Sequence, residues 1–299
     1  MKAAPVEIAP VIPLARAADY LQLCRPRVAV MVLLTVLIGG LLAADGPTPV
    51  VLFHALVGTA LVTAAASILN QYVERHTDAL MPRTANRPLP AGRLAPGEVL
   101  ALGSLAAVLG LGYLAGASPP AAIVCAVTFA LYVFAYTPAK RTTTLNTLIG
   151  AVPGALPPVI GWAAVRGRFD GGALALFLIV FVWQVPHFLA IAWMYRDDYA
   201  KGGHAMLTVR DRRGDRTAEQ MLVYGLTLLP VSLTPALGGL AGAGYAAGAL
   251  ALGAYFLRPI LRFRRERSPG AARAVLRASL VYLPGVLLLL LASKYLATG

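Results

Sequence analysis

Read for apolar and charged positions alone, the chain is a series of long uncharged runs separated by short basic patches. The runs are residues 28–44, 46–73, 99–139, 142–165, 171–195, 220–257 and 278–293. A helix needs about 20 apolar residues to cross the roughly 30 Å hydrocarbon layer of a bilayer, so two of these runs hold two crossings each. The first is interrupted by "GASPP" at 116–120 and the second by "GGLAGAG" at 238–244, both turn compositions. The pattern predicts an all-α integral membrane protein of nine transmembrane helices.

Charge tests that number. With the N-terminus in the cytoplasm, nine crossings put 23 of the 26 lysines and arginines on the cytoplasmic side, leaving only Arg166, Arg168 and Lys294 outside. The positive-inside rule demands such an asymmetry, and adding or removing one helix would scramble it. A soluble fold is excluded by a mean hydropathy of +0.71, because a core that large would have almost no polar surface around it. The net charge of +13 then needs no nucleic acid to explain it, since basic loops beside anionic head groups are ordinary in membrane proteins.

Cys24 and Cys125 have no metal or redox spacing and read as packing residues. The first 25 residues lack the apolar stretch of a cleavable signal, and "IPLARAADYLQLCRPRV" reads as a short interfacial helix. The chain therefore divides into an N-terminal cytoplasmic or interfacial segment, 1–27, and one nine-helix domain, 28–297.

The polar chemistry is concentrated after the second and sixth spans. The second span runs through "VVLFHALVGTALVTAAASIL" into "NQYVERHTDALMPRTANRPLP", residues 70–90. Positions i, i+4 and i+8 share one drifting helix face, so Asn70, Glu74 and Asp78 line one side of a helix end over roughly 12 Å of rise. An amide oxygen and two carboxylates are hard donors that suit Mg²⁺ together with phosphate oxygens. Arg75, Arg83 and Arg87 follow, and guanidinium forks match phosphate geometry. Together they read as a Mg²⁺ and diphosphate cradle; the alternative is a salt-bridge cluster closing the helix. Acids at a membrane edge are costly unless used, which favours the cradle.

The sixth span ends "WQVPHFLAIAWMYRDDYAKGGHAML", residues 183–207. Helical spacing puts His187, Ile191, Tyr195 and Tyr199 on one face. Asp198 is a candidate to complete the metal shell, with Arg196 and Lys201 for phosphate. "YTPAKRTTTLN", residues 136–146, adds Lys140, Arg141 and Asn146. His187, next to Pro186, reads either as a buried hydrogen-bonded histidine or as a contact for a flat, metal-bearing substrate. His76 and His204 read as loop residues. Two polar insertions four helices apart form a weak internal repeat, and two such half-sites facing each other would enclose a pocket.

These three motifs resemble the UbiA family of intramembrane prenyltransferases, and within it the haem branch, the protohaem IX farnesyltransferases (haem O synthases). The likeness runs from "LCRPRV" at residue 23 to the ninth helix; the Asn-Glu-Asp element marks the family, while "RTANRP" and "WQVPHF" mark the branch. The resemblance implies nine helices around a central cavity, with Mg²⁺ and the prenyl diphosphate held at Asn70, Glu74 and Asp78. It implies transfer of farnesyl from farnesyl diphosphate to a vinyl group of haem b, giving haem o, with haem as substrate and His187, Tyr195 and Tyr199 toward it. It further implies a multi-pass protein of the bacterial inner membrane whose active site lies near the cytoplasmic face, with haem A synthase or terminal oxidase assembly factors as partners. One departure stands out: Tyr195 and Tyr199 occupy the positions of the second acidic motif of many members, leaving Asp198 as the acid there. A sister enzyme with another aromatic or tetrapyrrole acceptor is the nearest alternative. A transporter is disfavoured because transporters place ionisable groups near the midplane, whereas these carboxylates sit at helix ends and loops.

Overall fold

The computed structural model describes residues 13–297, so residues 1–12 of the expected N-terminal segment lie outside the described residues. A short helix, α1 (Pro13–Leu23), precedes the first span, α2 (Pro26–Ala43), and the next two spans are α3 (Pro49–Asp78) and α4 (Pro96–Ala117). The fourth runs from α5 (Pro119–Ala130) through a π-helical turn (Leu131–Tyr136) into α6 (Thr137–Thr142), and the fifth is α7 (Asn146–Ala155) continued by α8 (Pro157–Arg166). The sixth span is α9 (Gly171–Met194), followed by the short α10 (Arg196–Lys201) and α11 (Leu207–Arg210). The seventh combines α12 (Asp215–Ser232) and α13 (Thr234–Leu237), and α14 (Ala243–Glu266) and α15 (Pro269–Ala297) complete the bundle. Nine spans among the described residues are long and apolar enough to cross a membrane. The two double-length runs break at Ser118 and between Leu237 and Ala243, within the turn compositions that predicted the breaks.

Local chemistry sets the boundaries. Proline opens α2, α3, α4, α5 and α8, where its missing N–H is one the first turn could not have paired anyway. Asp170 caps α9, its carboxylate accepting from the backbone N–H of Gly172 and Ala173 at 3.1 and 3.4 Å. Inside the fourth span, Pro138 cannot donate and its ring would collide with the carbonyl four residues back. The widened π-turn just before it accommodates that ring.

Each span packs on its successor, and α15 returns to α2, closing the ring; α2 on α8 and α9 on α15 are packed across it. The α2–α8 contact is close because it is built on glycine. A Cβ on Gly161 would strike the Val36 carbonyl, and one on Gly39 would strike the backbone of Pro158. The bundle is inverted relative to a soluble protein: Phe53, Val108, Phe134 and Leu288 face outward, while Asn70, Gln71, Glu74, Thr77, Asp78 and Asn146 are buried. In a hydrocarbon solvent that is the favourable arrangement.

Alternation of direction brings the end of α3, the start of α4, the ends of α6 and α9, and the α14–α15 turn to one end of the ring, hereafter the basic end. Two long connections, 79–95 and 195–214, lie there.

Gly161→Leu is expected to destabilise the fold by at least about 1–3 kcal/mol through overpacking. Gly112→Ala, where nothing lies within 4 Å of the added Cβ, should leave stability unchanged or slightly raised. Thermal unfolding of the two variants in detergent checks the contrast.

Candidate active site

The last three turns of α3 carry Asn70, Glu74 and Asp78, which are 0%, 7% and 1% exposed. Carboxylates this deep need counter-charges, and each has one. Lys140 of α6 donates to Glu74 Oε1 at 2.8 Å, and Arg87 donates to Asp78 Oδ2 at 2.6 Å. Asn70 is held from both sides: its amide oxygen accepts from Arg25 at 3.0 Å, and its amide nitrogen donates to the Thr137 hydroxyl at 3.1 Å. That hydroxyl in turn donates to the Tyr132 carbonyl at 2.8 Å, so the π-turn of the fourth span is tied to the polar edge of the second.

Arg25 occupies the left-handed region, φ 48°, just before the proline that opens α2. A non-glycine residue there is uncommon and costs conformational energy; its guanidinium is spent on Asn70. The loop 79–95 is braced from within, the Thr84 hydroxyl donating to the Asp78 carbonyl at 2.8 Å. Arg83 crosses to the second polar insertion: its guanidinium lies 4.8 Å from the ring centre of Tyr195 and 5.6 Å from that of Tyr199, distances suited to cation–π attraction. Two backbone links complete the join, Ala205 N–H to the Lys140 carbonyl at 2.7 Å and the Asn146 amide to the Ala205 carbonyl at 3.1 Å. The two polar insertions thus close on one another.

The electrostatics favour an anion. Arg25, Arg87 and Lys140 surround Glu74 and Asp78, three cations against two carboxylates, with His204 alongside. Burial, and after it the nearby Arg25 charge, lower the Arg87 guanidinium from its ordinary value although Asp78 opposes the shift. Burial likewise lowers the His204 imidazole, against the pull of Glu74. His204 Nδ1 is buried without a hydrogen-bond partner among the described residues.

The donor set fits Mg²⁺ bound with a diphosphate. The ion pairs engage one oxygen of each carboxylate and leave Glu74 Oε2 and Asp78 Oδ1 without a partner among the described residues. Two carboxylate oxygens are the usual protein share of a Mg²⁺ shell, the remainder coming from phosphate and water. Asp198 does not complete such a shell: no group of three His, Cys, Asp or Glu side chains among the described residues is arranged to hold a metal.

Other expected residues are also placed elsewhere. Arg75 turns back on its own helix, donating to the Tyr72 carbonyl at 2.7 Å and covering the Tyr72 ring, because it lies about 100° round the helix from Glu74. Arg196 covers Trp193 at 4.4 Å, and the same ring meets Phe263 of α14 edge to face. Lys201 and Arg141 are exposed, Arg141 close enough to His204 to affect it. His187 takes the hydrogen-bonded alternative, its Nδ1 2.7 Å from the Ser279 hydroxyl on α15 and its ring stacked on Trp183. α9 ends at Met194 and the chain bends at Tyr195, after which Tyr199 lies on the short α10. Residues that spacing alone did not single out are Arg25, Thr137 and His204; the only sequence sign of Arg25 was a base immediately before a helix-opening proline.

Residues 32–283 match the family described as the UbiA prenyltransferase family. The chain belongs to the UbiA prenyltransferase family. Among its relatives, the protoheme IX farnesyltransferase of Solibacter usitatus (strain Ellin6076) is 44% identical over 277 residues, 89% of this chain and 95% of that protein. This places the chain in the protoheme IX farnesyltransferase branch, as its motifs suggested. The UbiA fold is also that of solved structures. A digeranylgeranylglyceryl phosphate synthase superposes with a TM-score of 0.79 at 16% identity, covering 94% of this chain and 99% of that one. A UbiA homolog from Archaeoglobus fulgidus bound to GPP and Mg²⁺ gives a TM-score of 0.63 at 14% identity, covering 91% and 99%.

Lys140→Met leaves Glu74 buried without its cation and is expected to cost about 3–5 kcal/mol. Replacing both members, Glu74→Leu with Lys140→Met, should recover most of that loss. Melting temperatures of the single and double variants in detergent test the pairing.

Proposed function

We propose that this UbiA enzyme transfers the farnesyl group of farnesyl diphosphate to a vinyl group of haem b, forming haem o. The observation that supports the reading best is the buried edge of Glu74 and Asp78 enclosed by Arg25, Arg87 and Lys140. It carries one net positive charge, and a prenyl diphosphate brings roughly three negative ones; one divalent cation balances the remainder. The Archaeoglobus fulgidus relative bound to GPP and Mg²⁺ supports the same pairing of metal and diphosphate.

Glu74 Oε2, Asp78 Oδ1 and the Asn70 edge would hold the ion, which when bound supplies charge neutralisation for the departing diphosphate. Arg87 and Lys140 hold the diphosphate oxygens, with Arg83 and Arg141 at the entrance. The positive edge stabilises charge as it develops on the leaving group, so the allylic C–O bond breaks with its electron pair going to oxygen. The vinyl group of haem attacks the farnesyl C1 carbon, forming a C–C bond and leaving a cation on the carbon next to the porphyrin. Water adds there and loses a proton, which gives the hydroxyl of the product. Apolar walls of the bundle keep water from the first cation. Tyr195 and Tyr199, at the junction of the two insertions, are assigned to the haem side, and His187 to packing. The basic end faces the cytoplasm of a bacterial inner membrane, and the product suits a haem A synthase or a terminal oxidase assembly factor as the next partner.

Membranes containing the protein, incubated with haem b, farnesyl diphosphate and Mg²⁺, should yield a farnesylated haem. A product only with 4-hydroxybenzoate in place of haem would overturn the acceptor. Asp78→Asn should lower turnover at least about a hundredfold while the protein still inserts, and EDTA should abolish turnover in a way Mg²⁺ restores.

A further inference from the structure

A cleft of about 530 Å³ opens between α14 and α15 at the basic end, lined by Tyr255, Arg258, Pro259, Arg262, Gly270, Arg273, Ala274, Arg277 and Ala278. None of the residues of the acid edge lines it, and its two helices pack on α9, α12 and α2 rather than on α6. The sequence explains why it opens there. Nearer the other end the helices interlock, with Gly248 and Gly285 receiving Leu289 and Leu252. At the basic end, Gly270, Ala274 and Ala278 recur every fourth residue and leave a shallow floor with arginine walls.

Those walls carry charge that the protein itself does not neutralise. Arg262 pairs with Glu266 at 2.7 Å, and Arg267 just beyond the cleft takes Asp215 at 2.7 Å. Arg258, Arg273 and Arg277 have no carboxylate partner among the described residues. Three unpaired guanidiniums around one cleft repel each other, and an anion would relieve the repulsion. Just below, Leu280 and Val281 of α15 are each 50% exposed, a surface suited to acyl chains. Tyr255, 44% exposed, is a residue type favoured at the head-group level. Basic clefts between membrane helices are known to bind multiply charged lipid head groups.

We propose that this cleft binds the head group of a phospholipid carrying two phosphates, its acyl chains lying along the apolar faces of α14 and α15. Two phosphates match three free guanidiniums and the volume of the cleft better than one, and guanidinium forks bind phosphate bidentately. The inference is independent of the prenyl-transfer reading, since it uses none of those residues.

The test is native mass spectrometry of delipidated, full-length protein titrated with cardiolipin, phosphatidylglycerol, phosphatidylcholine and inorganic pyrophosphate. Cardiolipin should bind in a single saturable site, phosphatidylglycerol at matched charge at least about tenfold more weakly, and pyrophosphate should not displace it. Arg258→Gln with Arg277→Gln should weaken cardiolipin about twenty-five-fold, from roughly fivefold per arginine near a charged surface. Arg264→Gln, on the same helix but outside the lining, should leave it unchanged. An unchanged affinity in a double variant whose melting temperature matches the parent would overturn the proposal. So would equal binding of phosphatidylglycerol, displacement by pyrophosphate, or loss of farnesyl diphosphate or haem binding in the double variant, which would assign the cleft to substrate.

Discussion

The candidate active site follows from two carboxylates held where water is scarce. A buried Glu or Asp cannot stay ionised alone, so the end of α3 folds only if cations are delivered to it. Lys140 comes from the fourth span and Arg87 from the loop after α3 itself. Each ion pair therefore fixes the position of a segment as well as a charge. The first locks α6 beside α3, and the second folds the loop 79–95 back over the helix that precedes it. Arg25 does the same for α2 through Asn70. Three segments far apart in sequence meet because one helix edge demands partners.

That dependence explains what could be read in the chain directly and what could not. The nine spans and their breaks were legible because bilayer thickness acts on every span alike. The edge of Asn70, Glu74 and Asp78 was legible because four-residue spacing is a local property of a helix. Helical geometry also counted against Arg75, one residue from Glu74 and thus turned aside, though its proximity in sequence suggested otherwise. Partners were another matter. Nothing local says that the hydrogen-bond partner of Asn70 is Arg25, or that Ser279, on the last span, would satisfy His187. Arg196 was drawn onto Trp193 where α9 stops at Met194, one residue before a bend that no periodicity marks.

The π-turn shows how a local irregularity serves a distant one. Pro138 removes a backbone donor and crowds the preceding turn, and the chain is widened just before it. Widening also presents the Tyr132 carbonyl so that it accepts from both the backbone N–H and the hydroxyl of Thr137, which orients that hydroxyl to receive the Asn70 amide. About one turn on from Thr137, Lys140 emerges over the Tyr136 ring at 4.6 Å and meets Glu74. A proline inside an apolar run reads as a packing kink, and here the kink also sets the register between a lysine and its acid.

Charge accounting across the whole end gives the last step. The chain has 26 basic and 13 acidic residues, so at one acid per base half of the cations cannot find carboxylates. Where acids are buried, as on α3, they draw the bases inward and leave a small positive excess, which suits a substrate that arrives with its own anions and leaves again. Where acids are few, as between α14 and α15, the guanidiniums stay outside and unpaired, which suits an anion that is always present. A membrane supplies such anions at the depth of the arginine walls. The same rule that orients the bundle in the bilayer thus produces two kinds of anion site, separated by whether a carboxylate was buried first.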